Sequence, residues 1–445
     1  MILLLPQIFM FGAAWLWFNH LKLSTEYYLI LLLSFTITGL IWLPGFTTQI
    51  IPLHIFFLVL MGSKVVTASL HINRRSLIAA LLMLLPFILS IFWNTFFFET
   101  IISWEFNGEN REGYSKFTER TGLDTTNFTQ LIYLVFALTL YVVYSSLQLD
   151  RDKLKKMFDI TFYTVAAVCV FQVLAWEGRF YHWYETLVYT RVLHVDAYWG
   201  LHQQMIFESY KRLNAGFAEP SYLAYFLFFT VLTYLLIFGY EASLKSKAFW
   251  VGVVTGILST STTFYWGGFL LIILCYLRYS TEDQKMYYYI IALILLPILA
   301  FYLWSFIAYY AEIKTASTDE RWLVSWVYGW TNFSKSPFFG SALGSDRPLF
   351  IYTMLLGSVG IVGTLLFLFG LSFVKSSTQV TTYLAIVFIF GCGIFELQKP
   401  EMWLYLGLLS NPSVMTANAK KELKRKKVSL RRRVRQSPPS RQTRR

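Results

Sequence analysis

The sequence predicts an all-α fold, a polytopic helical integral membrane protein with about 11–13 transmembrane helices and two or three large outer loops. Of its 445 residues, 56% are hydrophobic and only 14% are charged, which leaves too little polar surface for a soluble protein of this size. The apolar residues form repeated runs of about 20, the length that a helix needs to cross the hydrocarbon core. Because a helix satisfies its own backbone hydrogen bonds in lipid, each run is predicted to be helical.

Such apolar segments recur from the N-terminus to residue 409. They lie near residues 2–18, 27–43, 50–70, 77–97, 128–147, 158–176, 221–239, 248–259, 262–278, 287–308, 350–374, 381–395 and 402–409. The first segment lacks a basic leader and a cleavage site, and we expect a retained helix there. The stretch 248–278 is 31 residues long, too long for one ordinary span and short for two. Its polar cluster STSTT at 259–263 suggests a break.

Short loops rich in Lys and Arg predict which helix ends face the cytoplasm. The loop DRDKLKK (150–156) carries four basic residues, HINRRS (71–76) carries two, and EASLKSK (241–247) is also basic. Three longer loops are then expected outside the membrane, and placing the last of them there requires that 248–278 cross twice. They span residues 98–127, 177–219 and 310–349.

The positive charge of the chain is concentrated at its C-terminus. Residues 418–445 hold 13 Lys/Arg and one Glu, so they contribute +12 of the net +13. We therefore divide the chain into a membrane domain (1–409) and a basic, disordered cytoplasmic tail (410–445). Such a tail is attracted to anionic lipid, and nucleic-acid binding is the weaker alternative, so we expect no nucleic-acid partner.

Several classes of function find no support in the sequence. There is no P-loop, no GxGxxG after a strand, and no HExxH motif. The three cysteines, Cys169, Cys275 and Cys392, lie in apolar runs without metal-ligand spacing. We predict no metal and no cofactor, and any activity must come from membrane helices and outer loops.

The stretch RLNAGFAEPSYLAYF (212–226) places charged residues at the start of an apolar run. Arg212 offers a planar fork of donors suited to phosphate, and Glu219 can accept a proton from a hydroxyl. Gly216 permits a tight turn, and Pro220 suits the first turn of a helix. From the residues alone, an ion pair between Arg212 and Glu219 that caps the helix is an equal alternative.

Two later stretches carry further candidates. STDERWLVSWVYGWTNFSKSPFFGSALGS (317–345) contains Arg321 and a turn around Gly340, and STSTTFYWGG (259–268) places hydroxyl groups inside a membrane segment. Taken singly, a surface ion pair for Arg321 and local helix satisfaction for the hydroxyl groups are the simpler interpretations. The candidate substrate-binding residues are Lys211, directly before the first stretch, and, within the three stretches, Asn214, Gly216, Tyr222, Ser261 and Gly340.

Taken in chain order (212–226, 259–268, 317–345) and followed by a glycine-dotted apolar run, the three stretches resemble the O-antigen polymerase and ligase superfamily of bacterial envelope enzymes. The resemblance is concentrated in residues 205–375. It is most specific in the pattern arginine-x-x-x-glycine-phenylalanine-x-glutamate-proline at 212–220. Within the superfamily, the polymerases of O-antigen and exopolysaccharide are most similar.

The resemblance implies a metal-independent, inverting membrane glycosyltransferase of the C class with an outward-facing site. Its donor would be an oligosaccharide linked to undecaprenyl diphosphate, and its acceptor the non-reducing end of another lipid-linked repeat unit. By this resemblance, Arg212 and Arg321 would engage the diphosphate. Without a metal site, fixed guanidinium groups are the available stabilisers of the leaving group. Glu219 is our candidate base for the acceptor hydroxyl.

One departure separates the branches of this superfamily. Ligases usually carry a functional histidine in the later loop, and residues 310–349 contain none. The polymerase interpretation is therefore favoured, with a ligase-type transferase and a lipid-linked oligosaccharide flippase as alternatives. The resemblance also implies a multi-pass protein of the bacterial cytoplasmic membrane. Its site would face the periplasm, and a chain-length regulator and a flippase of the same pathway are possible partners.

Overall fold

The computed structural model of the chain describes most of the predicted membrane segments. Described are residues 2–3, 5–36, 41–42, 49–69, 71–97, 101–105, 116–120, 122–123, 125–177, 205–206, 210–211, 213–217, 220–261, 263–265, 267–268, 326, 329–345, 350–390 and 397–415. The helices are α1 (Leu5–His20), α2 (Thr25–Leu32), α3 (Pro52–Val66), α4 (Arg74–Phe96), α5 (Thr125–Tyr144), α6 (Arg151–Glu177), α7 (Pro220–Phe238), α8 (Tyr240–Leu244), α9 (Lys247–Leu258), α10 (Gly329–Lys335), α11 (Ile351–Ser372), α12 (Thr378–Phe390) and α13 (Pro400–Ser410).

The predicted fold class, a polytopic helical membrane protein, is confirmed. Within the described residues, five helices are long and apolar enough to cross a membrane: α4, α5, α6, α7 and α11. Three shorter apolar helices accompany them, at 52–66, 247–258 and 378–389. The total of 11–13 spans stays a prediction, because the predicted span at 287–308 and most of 262–278 lie outside the described residues.

The strands are short, and all but β1, which precedes α1, lie in connections between helices. Three two-residue strands, β1 (Ile2–Leu3), β2 (Ile41–Trp42) and β3 (Gln49–Ile50), form an antiparallel sheet in that order. A five-residue hairpin, β4 (Ile101–Glu105) with β5 (Lys116–Arg120), runs in register from Ile101 opposite Arg120 to Glu105 opposite Lys116. β6 (Met205–Ile206) pairs with β7 (Tyr210–Lys211). The last two pairs fall in the predicted outer loops 98–127 and 177–219.

The centre of the bundle is α7, whose apolar 18-residue window is 78% buried, against 50% or less in the other four long helices. A helix that is hydrophobic on all sides belongs in such a position. α7 contacts α9, α13 and α8, while α4 packs along α11, α5 along α13 and α6 along α9. Gly370 lets α4 and α11 approach closely, since a Cβ at this position would lie only 2.8 Å from the Met83 backbone nitrogen.

The predicted span at 27–43 was wrong. α2 has only eight residues, and its six apolar residues from Tyr27 to Leu32 are each at most 6% exposed. The apolar run is therefore buried by protein rather than by lipid. After Leu32 the chain tightens into a turn in which the Ser34 and Phe35 amides donate to the Leu31 and Leu32 carbonyls. Apolar composition alone does not separate these two environments.

The predicted break within 248–278 is present. α9 ends at Leu258, Thr260 adopts a φ of +48°, and helical residues resume at 263–265. The chain then returns along α9, since the Tyr265 hydroxyl donates to the Ile257 carbonyl at 3.0 Å and the Phe264 ring lies against Gly256. Whether the stretch crosses twice stays a prediction, because residues 269–278 lie outside the described residues.

The described part of the C-terminus packs into the fold as far as Met415. The Asn411 side-chain amide donates to the carbonyls of Tyr144 and Leu147 at 2.6 and 2.7 Å, and Val414 is fully buried. The boundary that we predicted between membrane domain and tail, at 409/410, therefore falls inside a packed segment. A short polar segment that folds back onto a helix end cannot be distinguished from the start of a tail by composition.

Candidate functional site

The three predicted catalytic residues lie outside the described residues. These are Arg212, Glu219 and Arg321. The backbone of Lys211 is described as part of β7, without its side chain. Their roles in an outward-facing site therefore stay predictions, and the structure describes only residues that neighbour them in the sequence.

The segment between Arg212 and Glu219 is a buried turn held by one glutamine from α6. Gln172 accepts hydrogen bonds through Oε1 from the backbone N–H groups of Asn214 and Ala215, each at 3.1 Å. Its Nε2 donates to Asn214 Oδ1. Asn214 Nδ2 in turn donates to the Phe217 carbonyl at 2.7 Å, which closes the turn. Every residue of 213–217 is buried, so this side-chain bonding replaces water for the turn's backbone.

Gly216 fits this turn against the chain that follows α2. A Cβ at Gly216 would lie 2.3 Å from the Ser34 carbonyl oxygen, which no side chain can tolerate. Ala215, just before it, has a φ of +47°. Close backbone packing thus accounts for Gly216, and the hydrogen bonds of Asn214 hold the turn. Contact of either residue with substrate stays a prediction.

α7 begins at Pro220, as predicted, and its first turn meets a buried lysine. Lys399 Nζ lies 4.0 Å from the ring centroid of Tyr222 and 4.3 Å from that of Tyr225. The lysine side chain is only 7% exposed. A cation this close to two aromatic faces is attracted to both of them, and the attraction is stronger away from water.

Lys399 is the N-cap of α13, which begins at Pro400, and Glu401 follows in its first turn. Glu401 is 4% exposed. The positive ends of two helix dipoles, those of α7 and α13, therefore lie near one buried cation and one buried carboxylate. Lys399 and Glu401 were not among the candidates predicted from the sequence. The available signal was LysProGlu at 399–401 immediately before an apolar run, which repeats the charged-residue-and-proline pattern of Glu219 and Pro220.

The turn around Gly340 is inserted into a break in α11. We call residues 336–345 the bridging loop. At Gly360 the backbone leaves helical geometry, with φ +66° and ψ −171°. The amides that follow lose their partners within the helix, and the N–H groups of Ile361 and Val362 donate instead to the carbonyls of Pro337 and Phe338, at 2.8 and 3.2 Å.

The carbonyls released by the same break are also satisfied by the bridging loop. Gly357 accepts from the Ser341 N–H at 2.7 Å, and Ser358 accepts from the Ala342 N–H at 3.0 Å. In a regular helix these carbonyls would accept from Ile361 and Val362. Two helical hydrogen bonds are thus exchanged for four bonds between helix and loop, which meets the requirement that broken helices within a membrane be satisfied by protein.

Side chains from α4 complete this junction. Ser90 Oγ lies 2.7 Å from the Ser358 carbonyl, to which it donates, and 3.1 Å from the Ala342 N–H, from which it accepts. Asn94 Nδ2 donates to the Gly340 carbonyl at 2.9 Å. Gly340 itself has φ +68°, and a Cβ there would lie 2.3 Å from the Ser358 carbonyl carbon. Backbone packing accounts for this glycine, and its predicted substrate contact stays untested.

The bridging loop also reaches the start of α5. Asn127 Nδ2 donates to the Leu343 carbonyl at 2.8 Å and to Ser345 Oγ at 2.9 Å. One turn later on α5, Gln130 Oε1 accepts a hydrogen bond of 2.7 Å from Gln398 Nε2. Gln398 directly precedes Lys399, so the bridging loop and the first turn of α7 are joined through α5 and the start of α13.

These contacts bring together residues that sequence analysis had assigned separately. The starts of α5, α7 and α13 and the bridging loop meet at one end of the bundle, which we call the loop end. Each of the three predicted outer loops thus finishes at the loop end, and Tyr222 and Gly340 both belong to it. Ser261 does not share these contacts in the described part of the chain. Its carbonyl accepts from the Phe264 amide at 3.0 Å, in a turn that caps the break after α9.

Comparison with known proteins gives no assignment. No protein-family model matches the chain, and no curated protein matches it.

Proposed function

We propose that this chain is a membrane glycosyltransferase that polymerises a polysaccharide of the bacterial envelope. It would transfer a glycan from undecaprenyl diphosphate to the non-reducing end of another lipid-linked repeat unit. The proposal combines the resemblance of residues 205–375 to O-antigen and exopolysaccharide polymerases with the polytopic helical fold.

The observation that carries the proposal is the convergence at the loop end. Tyr222 follows the predicted base by three residues, and the bridging loop closes the stretch that contains Arg321. The contacts of Gln130, Gln398 and Lys399 join these two neighbourhoods. A reaction that uses groups from two outer loops requires such a junction, because a catalytic group must come within hydrogen-bond reach of its target.

The electrostatics of the loop end suit an anionic leaving group. Polyprenyl diphosphate gains negative charge as the anomeric bond breaks, and fixed positive groups stabilise that charge. Arg212 and Arg321 would supply guanidinium groups with the geometry of a phosphate clamp. Lys399 adds a buried positive charge beside Tyr222, and the N-termini of α7 and α13 add partial positive charge. The buried Glu401 carboxylate offsets part of this charge.

Glu219 would act on the acceptor. In an inverting transfer the base removes the acceptor proton on the face opposite the leaving diphosphate, and the new glycosidic bond forms as the bond to diphosphate breaks. Glu219 is directly bonded to Pro220, the first residue of α7, and the preceding turn is fixed by Gln172. We expect a base bonded to the first residue of a buried helix to be held close to that helix end.

The experiment is reconstitution of the purified chain in liposomes with a synthetic repeat unit linked to a polyprenyl diphosphate. We expect a ladder of products whose spacing is one repeat unit. Arg212→Ala and Arg321→Ala should each abolish the ladder, while Lys245→Ala, which removes an exposed basic residue elsewhere, should leave it intact. Normal ladders from both arginine variants would refute the proposed clamp.

The same reconstitution distinguishes the alternatives. A flippase would move the lipid-linked sugar across the bilayer without lengthening it. A ligase-type transferase would give a single product, and only when a different acceptor is supplied. We further propose the bacterial cytoplasmic membrane as the location, with the loop end facing the periplasm. A reporter fused after residue 415, compared with one inserted at residue 110, tests that orientation.

A further inference from the structure

We propose that a cleft at the end of the bundle opposite the loop end binds the headgroup of one anionic phospholipid. The cleft lies between the start of α4 and the end of α11 and has a volume of about 590 Å³. It is lined by Arg74, Arg75, Ile78, Phe369, Ser372 and Phe373. Neither the resemblance nor the proposed glycosyl transfer uses these residues.

The two arginines present positive charge to the cleft, and one of them is anchored. Arg75 Nε donates a 2.8 Å hydrogen bond to the Phe373 carbonyl, which holds the guanidinium across the gap between α4 and α11. Neither arginine forms an ion pair within the described part of the chain, and both are exposed. The bond to Phe373 uses only Nε of Arg75, and guanidinium groups suit phosphate oxygens.

The start of α4 strengthens this preference for an anion. Asn73 caps the helix by accepting the Arg75 N–H at 3.0 Å, which leaves the N-terminal end of a 23-residue helix beside the cleft. The dipole of that helix favours negative charge at its first turn. Two cations and a helix N-terminus thus act on the same small volume.

The walls of the cleft identify the source of the anion as a lipid. Ile78, Phe369 and Phe373 are apolar, and a soluble phosphate would gain nothing from them. Further along both helices, towards the middle of the bundle, apolar side chains remain exposed, as at Leu81 on α4 (55%) and Leu365 on α11 (62%). Because exposed apolar surface on a spanning helix faces acyl chains, a lipid can place its headgroup on the arginines and its tails along these residues.

The position of the cleft gives the bound lipid a structural role. Arg74 and Asn94, which contacts the bridging loop, lie near opposite ends of α4, about 30 Å apart at 1.5 Å per residue. The cleft is therefore far from the proposed reaction, and its ligand would stabilise the contact of α4 with α11. The segment 71–76 is also one that Lys/Arg bias predicts to face the cytoplasm, where anionic headgroups attract basic residues.

The test uses the full chain in zwitterionic detergent micelles, titrated with dioleoyl phosphatidylglycerol or with dioleoyl phosphatidylcholine. We expect native mass spectrometry to retain one phosphatidylglycerol and the melting temperature to rise only with that lipid. Arg74→Gln/Arg75→Gln should weaken apparent affinity about 30-fold, at roughly a factor of five per basic residue. The matched control is Lys245→Gln/Lys247→Gln, which removes the same charge from two exposed residues outside the cleft.

Equal losses in the two double variants would overturn the proposal, because they would show bulk attraction and no defined cleft. Binding of phosphatidylglycerol by the arginine double variant as tightly as by the unchanged chain would also overturn the proposal. A rise in melting temperature with soluble glycerol 3-phosphate equal to that with the lipid would contradict the assignment to a lipid. If the double variant does not fold, Arg74→Gln alone keeps the bond from Arg75 to Phe373 and should still weaken binding about fivefold.

Discussion

Replacing Gly360 by alanine tests whether the bridging loop and the break in α11 form one unit. At φ +66° and ψ −171°, Gly360 occupies a region of backbone conformation that is open almost only to glycine. An added Cβ would also lie 2.3 Å from the Phe338 carbonyl carbon and 2.4 Å from its oxygen. Both obstacles involve backbone atoms, so a side-chain rotation cannot relieve them.

The expected loss of stability follows from these two effects. The backbone conformation alone costs about 1–3 kcal/mol for a residue with a Cβ. To relieve the contact, the bridging loop must move away from α11, which weakens the four backbone hydrogen bonds between them at about 0.5–1.5 kcal/mol each. Because movement weakens the bonds without abolishing all of them, we expect a total of about 2–5 kcal/mol.

The assay is unfolding of the purified chain in detergent, by heat and by denaturant, with Gly12→Ala and Gly62→Ala as matched controls. A Cβ at either control position meets nothing within 4 Å. Both glycines lie inside helices, where alanine is favoured by roughly 0.5–1 kcal/mol, so the controls should be unchanged or slightly more stable. If Gly360→Ala unfolds at the same midpoint as the controls, our account of the junction is wrong.

Three further predictions concern the loop end and the turn before α7. Gln172→Ala leaves the buried backbone amides of Asn214 and Ala215 without their acceptor. The free energy of unfolding should fall by about 1–3 kcal/mol per amide. An unchanged unfolding midpoint would show that the turn does not depend on Gln172. Gly216→Ala places a Cβ against the Ser34 carbonyl and should reduce the yield of folded protein in size-exclusion chromatography, in contrast to Gly62→Ala. Lys399→Met removes the charge beside α7 and should slow ladder formation about tenfold, whereas Lys399→Arg keeps the charge and should recover most of the rate. Equal rates for both variants would argue against an electrostatic role.

The local features of this chain were readable from the sequence. Apolar runs of membrane length predicted a polytopic helical protein, and the helix that begins at Pro220 was placed at its first residue. The hydroxyl cluster after α9 predicted the break that the structure shows at Thr260. These features depend on residues close together in the chain, where length, proline chemistry and polarity act directly.

The contacts between distant parts of the chain were decided by tertiary structure. An apolar run such as α2 has the same composition whether protein or lipid covers it, so its burial could not be foreseen. The hydrogen bond from Gln398 to Gln130 joins residues 268 positions apart, and Lys399 reaches Tyr222 only because α7 and α13 begin side by side. The exchange of hydrogen bonds at Gly360 likewise needs a loop and a helix to meet. Sequence patterns thus determined which residues could form a site, whereas packing decided which of the described ones are neighbours.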